Sequence, residues 1–172
     1  MTTTYIDAWR KSDPKLEAAA TAFWTELNLL PEGATAAERL KELAVLAYDG
    51  ATLIGVSTLK INFFDQLRQK FAFAREAIRP EYRLQSVGRD LMLATREVIE
   101  PYALAHPEEE IAGIGAIYQA PGIGKRGIGR KTRLALIGYT AKNEQVRIGW
   151  FSHFIVPPNL TPPKPRTGGG AE

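Results

Sequence analysis

A strand–helix–strand succession in the middle of the chain constrains the fold most. Lys70 to Ile78 reads as a strand, and Pro80 stops it. Val87, Leu91, Ala94, Val98 and Tyr102 then trace one face of a helix, with Pro101 and Pro107 bracketing its end. Ile111 to Tyr118 reads as the next strand, and its glycines at 113 and 115 admit close backbone approach. Two strands joined through a helix must lie parallel in one sheet, with a right-handed crossover. Every other element has to be arranged around that pair.

The flanks supply antiparallel neighbours. Leu43 to Tyr48 and Thr52 to Leu59 are apolar and partly β-branched, and Asp49-Gly50 between them favours a tight hairpin turn. Upstream, Tyr5 to Trp9 reads as a first strand. Asp13-Pro14 opens a helix as N-cap and first helical residue, and Leu16, Ala20, Phe23, Leu27 and Leu30 form its apolar stripe, closed by Pro31-Glu32-Gly33. Thr35-Ala36-Ala37-Glu38 is a capping box for a second, short helix. Asn62 to Gln69 reads as a looser connection. Leu134 to Thr140 and Gln145 to Ile155 read as a last hairpin around Lys142-Asn143, although Leu134 to Tyr139 also suits one helical turn. The fold class is therefore α/β: a mixed, mostly antiparallel sheet with a central parallel pair and helices on both faces. A single domain over 1–156 is expected. Residues 157–172, with five prolines and a Gly-Gly-Gly run, are expected to form a disordered tail.

Composition removes several function classes. There is no cysteine, so a disulfide framework, a cysteine nucleophile and thiolate metal sites are excluded. The two histidines, His106 and His153, have no metal-ligand spacing, and no metal is expected. Met1 to Arg10 lacks the apolar run of a signal peptide, and no stretch nears the ~20 apolar residues of a membrane span, which points to a cytoplasmic protein. Net charge is only +3, but between Glu110 and Glu144 there is no acidic residue and there are six basic ones: Lys125, Arg126, Arg130, Lys131, Arg133 and Lys142. A local positive field there attracts phosphates or an acidic partner.

The segment Ala77-Ile78-Arg79-Pro80-Glu81-Tyr82-Arg83-Leu84-Gln85-Ser86-Val87-Gly88-Arg89-Asp90-Leu91-Met92 runs from a strand end through a small-residue turn into an amphipathic helix. The first amides of a helix lack intrahelical partners and lie at the positive end of its dipole, which suits a pyrophosphate. This segment resembles the acetyl-CoA signature of the GNAT-type N-acetyltransferase superfamily. Ile78, Pro80, Tyr82, Arg83 and Gly88 occupy the family's positions, while Ser86 replaces the first loop glycine. That replacement keeps the space but makes a positive φ less expected there. The Tyr48 to Gly55 hairpin also resembles the family's second and third strands, so the likeness covers roughly residues 5 to 118.

The resemblance implies acetyl-CoA as co-substrate, and transfer of its acetyl group to an amine by direct attack. It implies that the strand ending at Ile78 splays from the strand starting near Ile111. Pantetheine would pair with main-chain groups around Glu76 to Ile78, and the pyrophosphate would take amides from Leu84, Gln85, Ser86, Val87, Gly88 and Arg89, with Arg83 adding charge. The reaction needs a base for the ammonium and an acid for the leaving thiolate. Glu76, in the strand beside the expected thioester, is the candidate base. The blander reading makes it an exposed or salt-bridged carboxylate between Arg75 and Arg79. The family's Asn-x-x-Ala-x-x-x-Tyr-like helix, whose tyrosine can protonate the thiolate, is absent; Pro121 to Thr132 stands in its place. Tyr118 and Tyr139 are the remaining candidate acids. His153 reads as a packed histidine on the terminal strand.

The Pro121 to Lys131 loop invites two other readings. Gly122, Gly124 and Gly127 match G-x-G-x-x-G, but no clear helix follows, so a dinucleotide site is not supported. Gly124 to Gly129 has the glycine spacing of a nucleoside-triphosphate loop, yet Lys131 is displaced by one position. Nucleic acid is disfavoured, because Pro121 to Arg133 holds no aromatic residue for stacking. The plain reading is a solvated loop. The functional reading makes Lys125, Arg126, Arg130 and Lys131 a basic rim for an anionic partner, with four glycines free to adopt positive-φ turns. The acceptor amine stays unidentified, and a second copy of the chain is a further candidate partner. The competing function is a non-catalytic acyl-CoA-binding or interaction module.

Overall fold

A computed structural model describes residues 3–30, 33–83, 86–119 and 126–156. Of the expected features, the tail 157–172, the loop residues Leu84 and Gln85, and Pro121 to Lys125 lie outside the described residues. The elements in chain order are β1 (Thr3–Asp7), α1 (Pro14–Glu26), α2 (Ala36–Leu40), β2 (Leu43–Asp49), β3 (Thr52–Phe64), β4 (Gln69–Ile78), α3 (Val87–Ala105), β5 (Ile111–Tyr118), β6 (Ala135–Tyr139) and β7 (Gln145–Trp150). One seven-stranded sheet has the order β1-β2-β3-β4-β5-β7-β6. Only β4 and β5 run parallel, and all other neighbours are antiparallel. No helix among the described residues is long and apolar enough to cross a membrane.

Local chemistry explains the helix starts. Asp13 accepts from the amides of Lys15 and Leu16, and Pro14 occupies the first turn of α1. Thr35 and Glu38 close a reciprocal capping box on α2. Helix α1 stops earlier than its apolar stripe suggests. Asn28 takes a φ of 51°, and Leu29 N bonds Trp24 O at 2.9 Å, which reverses the chain after Glu26. Leu29 and Leu30 still pack on the cluster beneath the helix. Helix α3 runs through Pro101 and ends at Ala105, between the two prolines that bracket its end. Ile99 and Ala103, on either side of the proline, are buried against the sheet, and this packing holds the last turn.

Strand β3 extends past the expected Leu59. Asn62, Phe63 and Phe64 pair with Phe71, Lys70 and Gln69, so most of the supposed connection is ladder, closed by a tight turn in which Arg68 has a φ of 52°. Strand β7 ends at Trp150 rather than Ile155. His153 lies in the turn that follows and stacks on Phe151 at 5.6 Å.

The two faces of the sheet bury different layers. Leu91, Met92, Ala94 and Ile99 of α3 join Ala72, Ala74, Ile114 and Ala116 in the larger core. Phe23 and Trp24 of α1 join Leu46, Leu53 and Val56 on the opposite face. Side chains alternate along β4, so Ala72, Ala74, Glu76 and Ile78 face α3, while Phe71, Phe73, Arg75 and Ala77 face away.

Candidate active site

The parallel ladder between β4 and β5 runs from Lys70 opposite Ile111 to Ala74 opposite Ala116. Both strands continue, β4 to Ile78 along β3 and β5 to Tyr118 along β7, but no β4–β5 pair follows among the described residues. The strands therefore separate into a notch whose apex is the Ala74–Ala116 pair. This is the splay expected from the sequence.

The backbone of β4 offers groups to that notch. Arg79 N donates to Ile54 O at 2.9 Å, so the amides and carbonyls of odd-numbered residues point to β3. The β3–β4 register is unbroken to Ile78, and alternation turns the groups of Glu76 and Ile78 the other way. Arg83 Nε donates to Ile78 O at 3.2 Å, which folds that guanidinium back over the strand end.

Two ionisable side chains stand on the walls of the notch. Glu76 lies two residues beyond Ala74, and Tyr118 two residues beyond Ala116, so alternation puts both on the α3 side, near enough for the Glu76 charge to act on the Tyr118 phenol. Glu76 is not the salt-bridged carboxylate of the blander reading. Arg75 pairs with Glu42 and Arg79 with Glu26, the latter at 2.6 Å. Part of Glu76 meets solvent, yet its Oε1 is enclosed with no hydrogen-bond partner. Burial pushes its carboxyl up to about 8. Burial also raises the Tyr118 phenol; the Glu76 charge adds to this, while Arg147 and a hydrogen bond from Thr132 oppose it. Tyr5 of β1 is raised too, first by burial and then by Asp90, and it also senses Glu76.

Helix α3 starts over this pair. Its first intrahelical bond runs from Asp90 N to Ser86 O at 3.0 Å, so the amides of Val87, Gly88 and Arg89 precede the hydrogen-bonded ladder. Ser86, the N-cap, has a φ of 63°, the left-handed conformation that its side chain made less expected. A Cβ on Gly88 would sit 2.9 Å from Ile78 Cδ1 and 3.6 Å from Glu76 Oε2. The bare Cα of Gly88 thus faces β4 and lets the helix seat against Ile78 and Glu76. Arg89 is engaged by its neighbour Asp90, with Nε to Oδ1 at 2.8 Å and Nη2 to Oδ2 at 3.0 Å.

Tyr139 is not brought to the notch. It shares a cross-strand row with Gln145 and Tyr118, but two strands out on β6, and it is 58% exposed. Beyond β5, the described part of the glycine-rich segment is a tight turn. Gly129 N donates to Leu134 O at 2.9 Å, and Arg133 N to Gly129 O at 2.8 Å. Neither Gly127 nor Gly129 has a positive φ; Arg133 does, at 56°. Gly129 is needed for a different reason, since a Cβ there would collide with Thr132 Oγ1. The turn thereby brings Thr132 to the Tyr118 phenol and leaves Arg126, Arg130 and Lys131 beside it on the surface. The sequence reading missed Tyr5, Thr132 and Arg147. Nothing in their spacing sets them apart from ordinary strand and turn residues.

Neither a family model nor a curated protein sequence matches the chain. Solved structures do. The acetyltransferase of the GNAT family from Streptococcus pneumoniae matches with a TM-score of 0.56 at 14% identity, covering 86% of this chain and 96% of that one. The ribosomal-protein-S18-alanine N-acetyltransferase from Escherichia coli gives 0.55 at 11% identity, over 93% and 99%. The protein yncA of Salmonella typhimurium, named a candidate acetyltransferase and solved with its cofactor acetyl-CoA, gives 0.57 at 10% identity, over 91% and 98%. The chain has the fold of the GNAT acetyltransferases, a mixed sheet with one parallel splayed pair.

Proposed function

We propose that this protein transfers an acetyl group from acetyl-CoA to an amine by direct attack within the β4–β5 notch. The observation that carries this reading is the placement of Glu76 and Tyr118 on the two walls of the notch, on the side of the sheet that α3 covers. The inward-turned backbone of Glu76 and Ile78 suits pantetheine amides. The segment from Leu84 to Arg89, with Arg83, suits the pyrophosphate. Bound there, the coenzyme presents a thioester to the space between the two ionisable side chains.

Glu76 is the base in this scheme. A carboxyl pushed up to about 8 is a far stronger proton acceptor than an ordinary glutamate, and it approaches the range where amines lose their protons. Tyr118 is the acid. Its raised phenol stays protonated at neutral pH and can serve a departing thiolate. Tyr139 carries no step, given its exposure on β6. Arg126, Arg130 and Lys131 form the described part of a basic rim that favours an acceptor bearing a negative group. A cytoplasmic location belongs to this proposal as well.

A second reading, a coenzyme-binding module without turnover, is favoured by one feature. The described residues between β5 and β6 form a turn and no helix, so a tyrosine carried on such a helix is not available. Mixing acetyl-CoA with an amine library and following free thiol separates the two. Amine-dependent thiol release is the expected result. Binding of acetyl-CoA with no release from any amine would establish the module instead, and no binding at millimolar coenzyme would end both readings.

A further inference from the structure

Arg147 is the largest fully buried side chain among the described residues, at 1% exposure. A permanent charge inside a protein is costly unless its donors are satisfied, and an apolar side chain of similar volume often serves stability as well or better. Its donors are spent on the active-site side of the sheet. Nε donates to Gln145 Oε1 at 2.8 Å, Nη1 to Leu134 O at 3.3 Å and Nη2 to Arg126 O at 2.6 Å. Arg126 and Leu134 flank the tight turn after β5, so one guanidinium ties both ends of that turn to β7.

The same guanidinium lies 5.3 Å from the centroid of the Tyr118 ring. Strand register explains the meeting: Gln145 pairs with Tyr118 and Arg147 with Ala116, which puts Arg147 diagonal to the tyrosine on the α3 face. Thr132, in the tied turn, lies close enough for its hydroxyl to favour the ionised form of the phenol. Tyr118 thus has a cation beside its ring, and its phenol feels both the Thr132 hydroxyl and the Glu76 charge.

We infer that Arg147 is a positioning residue, which together with Thr132 fixes Tyr118 at the notch as the proton donor to the departing thiol. The inference rests on the proposed acetyl transfer. In that step the acceptor nitrogen forms a bond to the acetyl carbon, and the carbon–sulfur bond breaks with its electron pair going to sulfur. Sulfur takes the phenolic proton of Tyr118, and the proton shed by the nitrogen goes to the Glu76 carboxylate. The transient phenolate is stabilised by the Arg147 charge and the Thr132 hydroxyl. The arrangement supplies on a strand and a turn what a tyrosine on a following helix would otherwise supply.

The test compares Arg147→Met, Arg147→Lys and Thr132→Val. Tyrosinate ultraviolet absorbance is followed against pH in each, with Tyr118→Phe in the same background to isolate the Tyr118 signal. This titration needs neither coenzyme nor acceptor. Arg147→Met should move Tyr118 ionisation further upward, Arg147→Lys should restore part of the wild-type position, and Thr132→Val should give a smaller rise. Thr132 is only half-buried, so its variant reports even if the Arg147 variants fail to fold. In turnover, Arg147→Met should lower kcat about tenfold, with KM for acetyl-CoA within about twofold of wild type and the alkaline limb of kcat displaced upward. A merely structural arginine would lower stability and leave the Tyr118 titration where it was. An unmoved titration in Arg147→Met, or in Thr132→Val if that alone folds, overturns the positioning role even in an active enzyme. A wild type that binds acetyl-CoA but releases no thiol with any amine overturns the donor role together with the reading beneath it.

Discussion

Replacing Glu76 by glutamine should stabilise the protein at neutral and alkaline pH and do almost nothing at acid pH. The carboxyl stands at about 8 in the folded chain against an ordinary 4.5. Between those values the folded state holds a proton that the unfolded chain has lost, so stability falls as pH rises through the window. A full shift of that size costs about 3 kcal/mol at pH 7 and nearly 5 above pH 8. Part of the residue meets solvent, which brings the expected cost down to about 2–3 kcal/mol near neutrality. Glutamine has the same shape and no charge. Its advantage over wild type should thus grow from near zero around pH 4.5 to that figure, or roughly 5–10 °C in Tm for a chain of this size. Urea unfolding of both proteins at a series of pH values gives the difference directly. Other carboxylates, such as Glu109 held low by Tyr102 and Arg10, cancel in the comparison because both proteins keep them. Two stability curves running parallel from acid to pH 9 would mean that Glu76 titrates alike folded and unfolded. The argument from its enclosed Oε1 would then be wrong.

Three further outcomes follow from the same geometry. Gly88→Ala should leave Tm within a few degrees, since alanine gains about 1 kcal/mol of helix propensity, but its Cβ must displace Ile78 Cδ1, so acetyl-CoA affinity by calorimetry should fall about tenfold. Ser57→Ala removes the 2.7 Å hydrogen bond to Thr95 under α3 and should cost about 1–2 kcal/mol in urea unfolding without altering coenzyme affinity. Neutralising Arg126, Arg130 and Lys131 together should weaken binding of coenzyme A or of the acceptor in low salt, with the loss shrinking as ionic strength rises; equal binding at all salt concentrations would reduce the turn to a scaffold.

The residues that made the fold legible are those with a local physical meaning. Asp49-Gly50, the Asp13-Pro14 start and the Thr35-Glu38 box each state a backbone conformation within a few positions, and each appears in the structure where the sequence put it. The parallel pair was legible because a helix between two strands permits little else. The end of β3 was misjudged: Phe63 and Phe64 extend it past Leu59 because cross-strand contacts outweigh local preference. Ser86 adopts a left-handed φ at a cost of about 1–2 kcal/mol, which only the tertiary route from β4 into α3 demands.

The candidate site was legible on one side only. Ile78, Glu76 and the start of α3 lie within a dozen positions, so a local motif could mark them. The opposite wall is assembled from Tyr118, Thr132 and Arg147, which are scattered over thirty positions and meet only because β5 pairs with β7 and the intervening turn folds back. A charge buried at 1% exposure beside a tyrosine has no sequence signature, since an arginine in an alternating strand reads as solvent-facing. The glycines of the turn were legible as glycines but not for their use. Gly129 is required by the close approach of Thr132 Oγ1 and not by a positive φ. Thr132 is also the residue whose hydroxyl acts on the Tyr118 phenol. The least informative stretch of sequence, a basic run of glycines, therefore completes the wall that faces Glu76, and it does so by geometry that no single-residue preference encodes.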